Sequence, residues 1–300
     1  MTLTQLVAAG RLRTDVQLGA LTTYRLGGPA AYLLDGATRA DLADLARALA
    51  DEPVEVLALG RGSNLVIADS GFGGVVVRLG SEFDDIDVAD DLVSVGGIVP
   101  LPLVARTATS AGQRGLEFLI GVPGSTGGGV RQNAGCFGSE IADALVSAQI
   151  FDLRTGEQRT ADASELQMRY RSTSVASTDV VLRALFRAQE GDSAEGLGLI
   201  REHTRWRRLH QPGGTLNAGS VFKNPPGDSA GRIIDSLGLK GLQVGAAEVS
   251  TKHANFFVAM PGTTADHLYL LVRKVRDIVA SETGIVLEPE IQFVGQFADD

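Results

Sequence analysis

The chain has a single cysteine, Cys136, in 300 residues. That excludes an internal disulfide and any multi-cysteine metal site, and it fits a reducing compartment. Excess positive charge is also missing. The formal net charge is −9, which argues against nucleic acid or an anionic membrane surface as the main partner. An anionic small molecule is still compatible, because its binding depends on the local field. No apolar run approaches the ~18 residues that cross a bilayer. The start, "MTLTQLVAAGRLRTD", has no basic segment leading into a sustained apolar stretch, so it does not read as a secretory signal. Internal repeats and low-complexity tracts are lacking as well. These absences point to a cytoplasmic enzyme without a metal site.

What the chain has in quantity is glycine, 37 residues, without the period of collagen or the monotony of a linker. The glycines gather at 60–62, 71–74 and 121–129. Such clusters mark places where the backbone must approach something closely. The rest, 44 % hydrophobic and 21 % charged, is ordinary for a globular protein. The length allows two or three domains.

Periodicity predicts a helix over 38–50, capped by Thr38, with Leu42, Leu45, Ala46 and Leu49 on one face. Short β-branched runs at 54–60, 65–69, 75–79, 92–95, 146–153 and 180–188 predict strands. A helix is expected near 101–112. The polar stretch "QEGDSAEG" near 190–195 is the main candidate domain boundary. Beyond it, helices are expected over 196–209, over 228–237 with Asp228 as cap and Gly238 as stop, and over 264–283 with Gly284 after the end. The last should be the longest. This order is α+β, without regular alternation of strand and helix.

"LGRGSNLVIAD" (59–69) begins like a dinucleotide fingerprint, but Leu65 stands where a third glycine would be and a strand follows. No Walker motif is present. Gly60, Arg61, Gly62, Ser63 and Asn64 make either a tight hairpin or a nest of N–H groups for an anion. "GVPGSTGGGVRQNAG" (121–135) is expected to be a long loop almost free of side chains, laid against a flat or charged ligand. "TLNAGSVFKNP" (215–225) adds a hydroxyl and a cation to what would otherwise be a plain turn.

"GRGSNLVIADSGFGGVVVRL", "GLEFLIGVPGSTGGGVRQNAGCFGSEIAD", "YRST", "AGSVFKNPPGDSAGRIIDSLGLKG", "VSTKHANFFVA" and "LEPEIQFVG" stand in the order found in the UDP-N-acetylenolpyruvoylglucosamine reductases, the MurB family. The chain resembles that family from about residue 20 to 296. The resemblance implies an FAD-binding domain of the vanillyl-alcohol-oxidase (PCMH) type over 1–192, with lobes at about 1–80 and 81–192. A smaller α+β substrate-binding domain would follow over 193–300. It also implies reduction of UDP-N-acetylenolpyruvoylglucosamine to UDP-N-acetylmuramate in peptidoglycan precursor synthesis. NADPH would be the reductant and FAD, bound non-covalently, the carrier.

Carried over residue by residue, the resemblance assigns Ser220 as proton donor. Arg171 and Glu290 would stabilise the charge that builds beside the substrate carboxylate. Glu288, two residues from Glu290, competes with it, and only the motif's spacing prefers Glu290. Cofactor contacts would come from Gly60, Arg61, Gly62, Ser63, Asn64 and Leu65, and from Pro123, Gly124, Ser125, Thr126, Gly128 and Asn133. Substrate contacts would come from Tyr170, His210, Lys223, Asn224, His253 and Asn255.

The arginines of "REHTRWRRLHQP" (201–212) are either a solvated helix face or a phosphate site. The chain departs from the family pattern in having His210 where a lysine is usual. It also has Gly129 and Gln132 where alanine and methionine are commoner. The short interval between Arg171 and Ser220 matches the branch without a tyrosine-bearing insertion.

Overall fold

The computed structural model describes residues 1–298. The helices and the strands of three or more residues follow in this order. The chain begins with α1 (Leu3–Ala8), β1 (Arg13–Gln17), β2 (Pro29–Ala37), α2 (Arg39–Asp51), β3 (Val56–Ala58), β4 (Leu65–Ile67) and β5 (Phe72–Leu79). It continues through β6 (Ile86–Ala89), β7 (Leu92–Gly96), α3 (Leu101–Ser110), α4 (Thr126–Gln132), β8 (Leu145–Asp152), β9 (Gln158–Asp162) and β10 (Asp179–Arg187). It ends with α5 (Ser193–His210), α6 (Ala230–Ser236), β11 (Ala247–Val249), β12 (Phe257–Ala259), α7 (Ala265–Thr283) and β13 (Gln292–Val294). This is the α+β architecture expected. Among the described residues no helix is long and apolar enough to cross a membrane.

The chain divides into two compact units. The first comprises Met1–Thr14, Tyr32–Arg61 and Gly74–Trp206; the second comprises Asp15–Ala31, Gly62–Gly73 and the chain from Arg207 onward. In the first, β3 runs parallel to β5, pairing Val56 with Val75 and Ala58 with Val77. Thr38 caps α2 through a reciprocal box with Asp41, and Leu42, Leu45, Ala46 and Leu49 are buried, as the periodicity predicts. A five-stranded sheet runs β9-β8-β10-β7-β6. It serves two separate cores, one holding Ile150, Val181 and Phe186 and the other Phe151, Val180 and Leu182.

The stretch 121–135 is not the loop the sequence suggests. Residues Thr126–Gln132 form α4, capped by Ser125, whose hydroxyl accepts from the Gly128 N–H at 3.4 Å. Three consecutive glycines are poor helix formers, but tertiary packing overrides that preference. A Cβ at Gly129 would lie 2.7 Å from Leu101 Cδ1 and 2.8 Å from Ile141 Cδ1. One at Gly127 would lie 3.0 Å from the Val181 carbonyl. The missing side chains bring the helix close to its neighbours.

In the second unit β4 pairs in parallel with β13, Leu65 opposite Gln292 and Ile67 opposite Val294. Because β3 pairs with β5 and β4 with β13, the 60–64 connection is not a hairpin. Helix α7 is the longest described, and Gly284 ends it in the left-handed conformation that glycine tolerates (φ 73°). Its first turn is capped by Thr264. The Asp69 carboxylate also accepts there from the N–H groups of Ala265 and Asp266, at 3.1 and 3.2 Å. Leu268, Leu271, Val272, Val275 and Val279 face a core shared with Phe222, Phe257 and Ile234. Tyr24 is buried in that core and donates to the Phe257 carbonyl at 3.1 Å; burial pushes its phenol up. Helix α6 is capped by Ser229, not Asp228. Asp228 instead pairs with Arg232 one turn on, which leaves the hydroxyl next to it to accept the Arg232 N–H.

Candidate active site

The first unit contains a pocket of about 470 Å³. Apolar side chains of β3, β5 and β10 wall it, with Ile98 and Val175, and the backbones of Gly60, Gly97, Gly127 and Gly128 floor it. Ser125, Arg131 and Asp179 are its polar side chains. Gly60 meets Ser125 so closely that a Cβ there would collide with the hydroxyl oxygen. The two glycine stretches therefore converge, Gly60 from the first and Ser125, Gly127 and Gly128 from the second. Apolar walls, side-chain-free backbone and one cation suit a planar ring system joined to a diphosphate.

Not every cofactor residue read from the sequence lines this pocket. Gly60, Ser125 and Gly128 do. Thr126 is buried and donates to the Val99 carbonyl at 3.0 Å, which ties the start of α4 to the core. The Gly124 carbonyl accepts from Leu101, and Pro123 is exposed. Arg61 ends the first unit and is exposed. Asn133 is fully buried in the left-handed conformation. Its amide donates to the Arg169 carbonyl at 3.0 Å, and its Oδ1 accepts from Ala142 at 2.8 Å.

Arg171 also takes left-handed backbone (φ 53°) in the tight turn closed by Arg169 and Ser172. Its guanidinium donates to the Gly135 carbonyl at 2.8 Å and lies over the half-exposed Tyr170 ring, 4.9 Å from the centroid. These contacts fix the direction of the fork.

The second unit has its own open pocket of about 840 Å³. Ser220, Asn224, His253 and Asn255 line it together, as do Ser229, Arg232, Asp235, Lys240 and Lys252. The stretch carrying Ser220 runs as a bridge. Ser220 pairs with Phe256 on one side, and Phe222 pairs with Pro289 on the other. Asn255 fixes this bridge, its Oδ1 accepting from Phe222 N at 2.9 Å and its Nδ2 donating to Phe222 O at 2.8 Å. Asn224 accepts from the Ala230 N–H at 3.1 Å, at the start of α6.

Glu290 and Glu288, hard to separate by sequence, differ in surroundings. Glu288 is exposed and binds Lys223 Nζ at 2.6 Å. The Glu290 N–H donates to Val221 at 2.7 Å, and its carbonyl accepts from Asn64 Nδ2 at 3.0 Å. Asn64 thus ties the end of the first glycine stretch to the Glu290 backbone. Its neighbours are also structural here: the Gly62 carbonyl accepts from Thr23, and Leu65 is the strand partner of Gln292. Ser63 lies between them, half-buried. Lys223, His210 and Glu290 do not line the pocket that holds Ser220.

Burial holds His253 below its ordinary imidazole value, consistent with its Nδ1 accepting the Asn255 N–H at 3.3 Å. Arg232 holds the Asp228 carboxyl down to about 2. Of the three cations of this pocket, Lys252 stands in the sequence close to the substrate-contact positions without being assigned a role, while Arg232 and Lys240 are not singled out there. Lys240 lies in the "SLGLKG" motif and Lys252 beside His253, so the motifs themselves were the signal available. Lys240 pairs with Asp235 at 2.7 Å, and Lys252 donates to the Arg208 carbonyl at 2.7 Å. No cluster of three metal-ligating side chains exists among the described residues.

A reductase of Symbiobacterium thermophilum, UDP-N-acetylenolpyruvoylglucosamine reductase 2, is 41 % identical over 287 residues, covering 95 % of this chain and 93 % of its own. The chain belongs to the UDP-N-acetylenolpyruvoylglucosamine reductase family. A second such reductase, from Caulobacter sp. strain K31, is 39 % identical and covers 96 % of each chain. The crystal structure of the MurB reductase from Thermus caldophilus superposes with a TM-score of 0.83 at 36 % identity, over 95 % of this chain and all of that one. A family model described as an FAD binding domain matches residues 30–162. Another, the C-terminal domain of these reductases, matches 211–294. The chain is thus an FAD-dependent oxidoreductase of cell-wall synthesis, with the FAD-binding domain that the resemblance implied and FAD held non-covalently. The first match contains the Gly60–Ser125 contact and the second contains Ser220.

Proposed function

We propose that the chain reduces UDP-N-acetylenolpyruvoylglucosamine to UDP-N-acetylmuramate with NADPH, in the cytoplasm. When bound, the flavin would supply the two-electron chemistry that links NADPH to the vinyl carbon of the substrate. The pocket of the first unit holds FAD on the Gly60 and Ser125–Gly128 backbone; the pocket of the second unit takes the substrate.

Hydride arrival leaves negative charge on the carbon beside the substrate carboxylate. Ser220 Oγ donates its proton to that carbon. A serine hydroxyl is a weak acid, so the transfer relies on placement and on the basicity of the acceptor. Arg171 pairs its planar fork with the carboxylate, where a permanent cation lowers the barrier. Glu290 orients the developing carbanion. Asn224 and His253 contact the sugar nucleotide, while Lys223, His210 and Tyr170 act at its periphery.

The observation that carries this reading is the company Ser220 keeps. It lines one pocket with Asn224, His253, Arg232, Lys240 and Lys252, a hydroxyl among groups suited to an anionic sugar nucleotide. The test is an anaerobic visible spectrum of the purified protein. NADPH should bleach the flavin bands, and the enolpyruvyl sugar should restore them. Flavin that NADPH reduces but the sugar cannot reoxidise would overturn the substrate assignment and leave the cofactor in place.

A further inference from the structure

The pocket of the first unit contains a cation that the cofactor residues named above do not include. Arg131 lies on α4 three residues after Gly128 and four after Gly127, a spacing that puts all three on one helical face. All three line the pocket. Since the two glycines carry no side chain, nothing on that face stands between Arg131 and the pocket floor.

The charge of Arg131 is poorly compensated by the protein. No hydrogen-bond acceptor among the described residues engages its guanidinium, and its electrostatic partner is Asp179. That carboxylate is already committed. Asp179 is buried, binds Arg159 at 3.1 Å, and accepts from the Ala176 N–H at 3.0 Å. One carboxylate therefore faces two guanidinium groups and leaves a net positive charge at this end of the pocket. Apart from Ser125, the remaining walls are aliphatic side chains and backbone. Burial disfavours the charged form of Arg131 and pulls its pKa below the ordinary value. A half-buried guanidinium with unused donors is costly unless an anion supplies the acceptors.

Given the flavin reading above, on which this step rests, we infer that Arg131 is an FAD-binding residue whose guanidinium holds the cofactor's diphosphate. Ser125 and Gly128 shape the bed, and Arg131 supplies the counter-charge that the acidic chain otherwise lacks there. The fork of arginine suits phosphate oxygens better than a lysine's single ammonium.

The test is titration of the flavin-free protein with FAD, followed by flavin fluorescence, for the wild type, Arg131→Lys and Arg131→Gln at low and high salt. A lost charge-assisted contact predicts affinity roughly 10- to 100-fold weaker in Arg131→Gln. Arg131→Lys should fall between, and the salt dependence of the wild type should flatten in Arg131→Gln. Equal affinity in all three proteins, or an equal loss in both variants with salt dependence unchanged, overturns the inference. Thermal melting of the flavin-free variants separates binding from folding. If Arg131→Gln does not fold, an Arg131→Lys affinity equal to that of the wild type at both salt concentrations overturns the inference. Failure of the wild type to take up FAD would instead strike the flavin reading itself.

Discussion

The carboxamide of Asn255 closes both backbone groups of Phe222, accepting from its N–H at 2.9 Å and donating to its carbonyl at 2.8 Å. Asn255 thereby acts as a strand partner made from a side chain. It is 3 % exposed, and Phe222 is 1 % exposed, so water cannot take its place. The bridge it fixes carries Ser220 two residues away.

Replacing Asn255 with leucine should leave that N–H and C=O buried and unpaired. A loss of about 2–4 kcal/mol is expected from two such groups. Denaturant unfolding measures it. In the variant that remains folded, kcat should fall more than KM rises, because a displaced Ser220 affects proton delivery more than binding. A variant as stable and as fast as the wild type would show that the two hydrogen bonds hold nothing in place.

Ser220→Ala should keep FAD and still be bleached by NADPH. Reoxidation by the enolpyruvyl sugar should slow by roughly 10²- to 10⁴-fold, the usual worth of a placed acid. Stopped-flow absorbance separates the two half-reactions. Equal slowing of both would point to a structural role for the hydroxyl.

Gly60→Ala should weaken FAD binding, because the new methyl collides with Ser125 Oγ. Adding Ser125→Ala removes that oxygen, although Ser125 Cβ would still lie 3.3 Å away, and it sacrifices the α4 cap. The double variant should bind FAD more tightly than Gly60→Ala alone, a non-additive result that identifies direct contact. Simple addition of the two losses would place the effect of Gly60 elsewhere.

Burial, reinforced by Lys240 and His210 and opposed by a backbone hydrogen bond and by Asp235, holds His253 below its ordinary value of 6.5. As pH falls below 6.5, the unfolded chain takes up this proton before the folded chain does. Stability that is complete above 6.5 should therefore decline below it. Melting temperatures from about pH 7.5 to about pH 5, within the titration range of histidine, should show a steeper fall for the wild type than for His253→Gln. Parallel curves would remove His253 as the cause.

Features set by near neighbours were legible in the sequence. Thr38 and Leu42–Leu49 announce α2, and Thr264 and Gly284 bracket α7, because caps and helical periodicity act within a few residues. Helix α4 was not legible. Its glycines look like a loop until Leu101, Ile141 and the Val181 carbonyl are in place to require them. The 60–64 connection misled for a similar reason, since β4 finds its partner at Gln292–Val294 rather than next door.

The pocket of the second unit shows both cases. Motif resemblance named Ser220, Asn224 and His253, which the fold assembles. Motif resemblance also made Asn255 a substrate contact; it lines the same pocket, while its amide holds the backbone of Phe222, a tie that the motif does not announce. That Arg232, Lys240 and Lys252 share one pocket with Ser220 became visible only when separate segments came together.

The pairing of β4 with β13 has a consequence for synthesis of the chain. Leu65, Val66 and Ile67 leave the ribosome long before Gln292, Phe293 and Val294 exist. Until then one edge of β4 has no mate, and the core that Val66 joins with Tyr24, Val275 and Ile291 is incomplete. The second unit cannot complete this pairing until residues 292–294 have been made and have left the ribosome. A message truncated before codon 292 should therefore yield a product with a sticky apolar edge, one that quality-control proteases clear quickly.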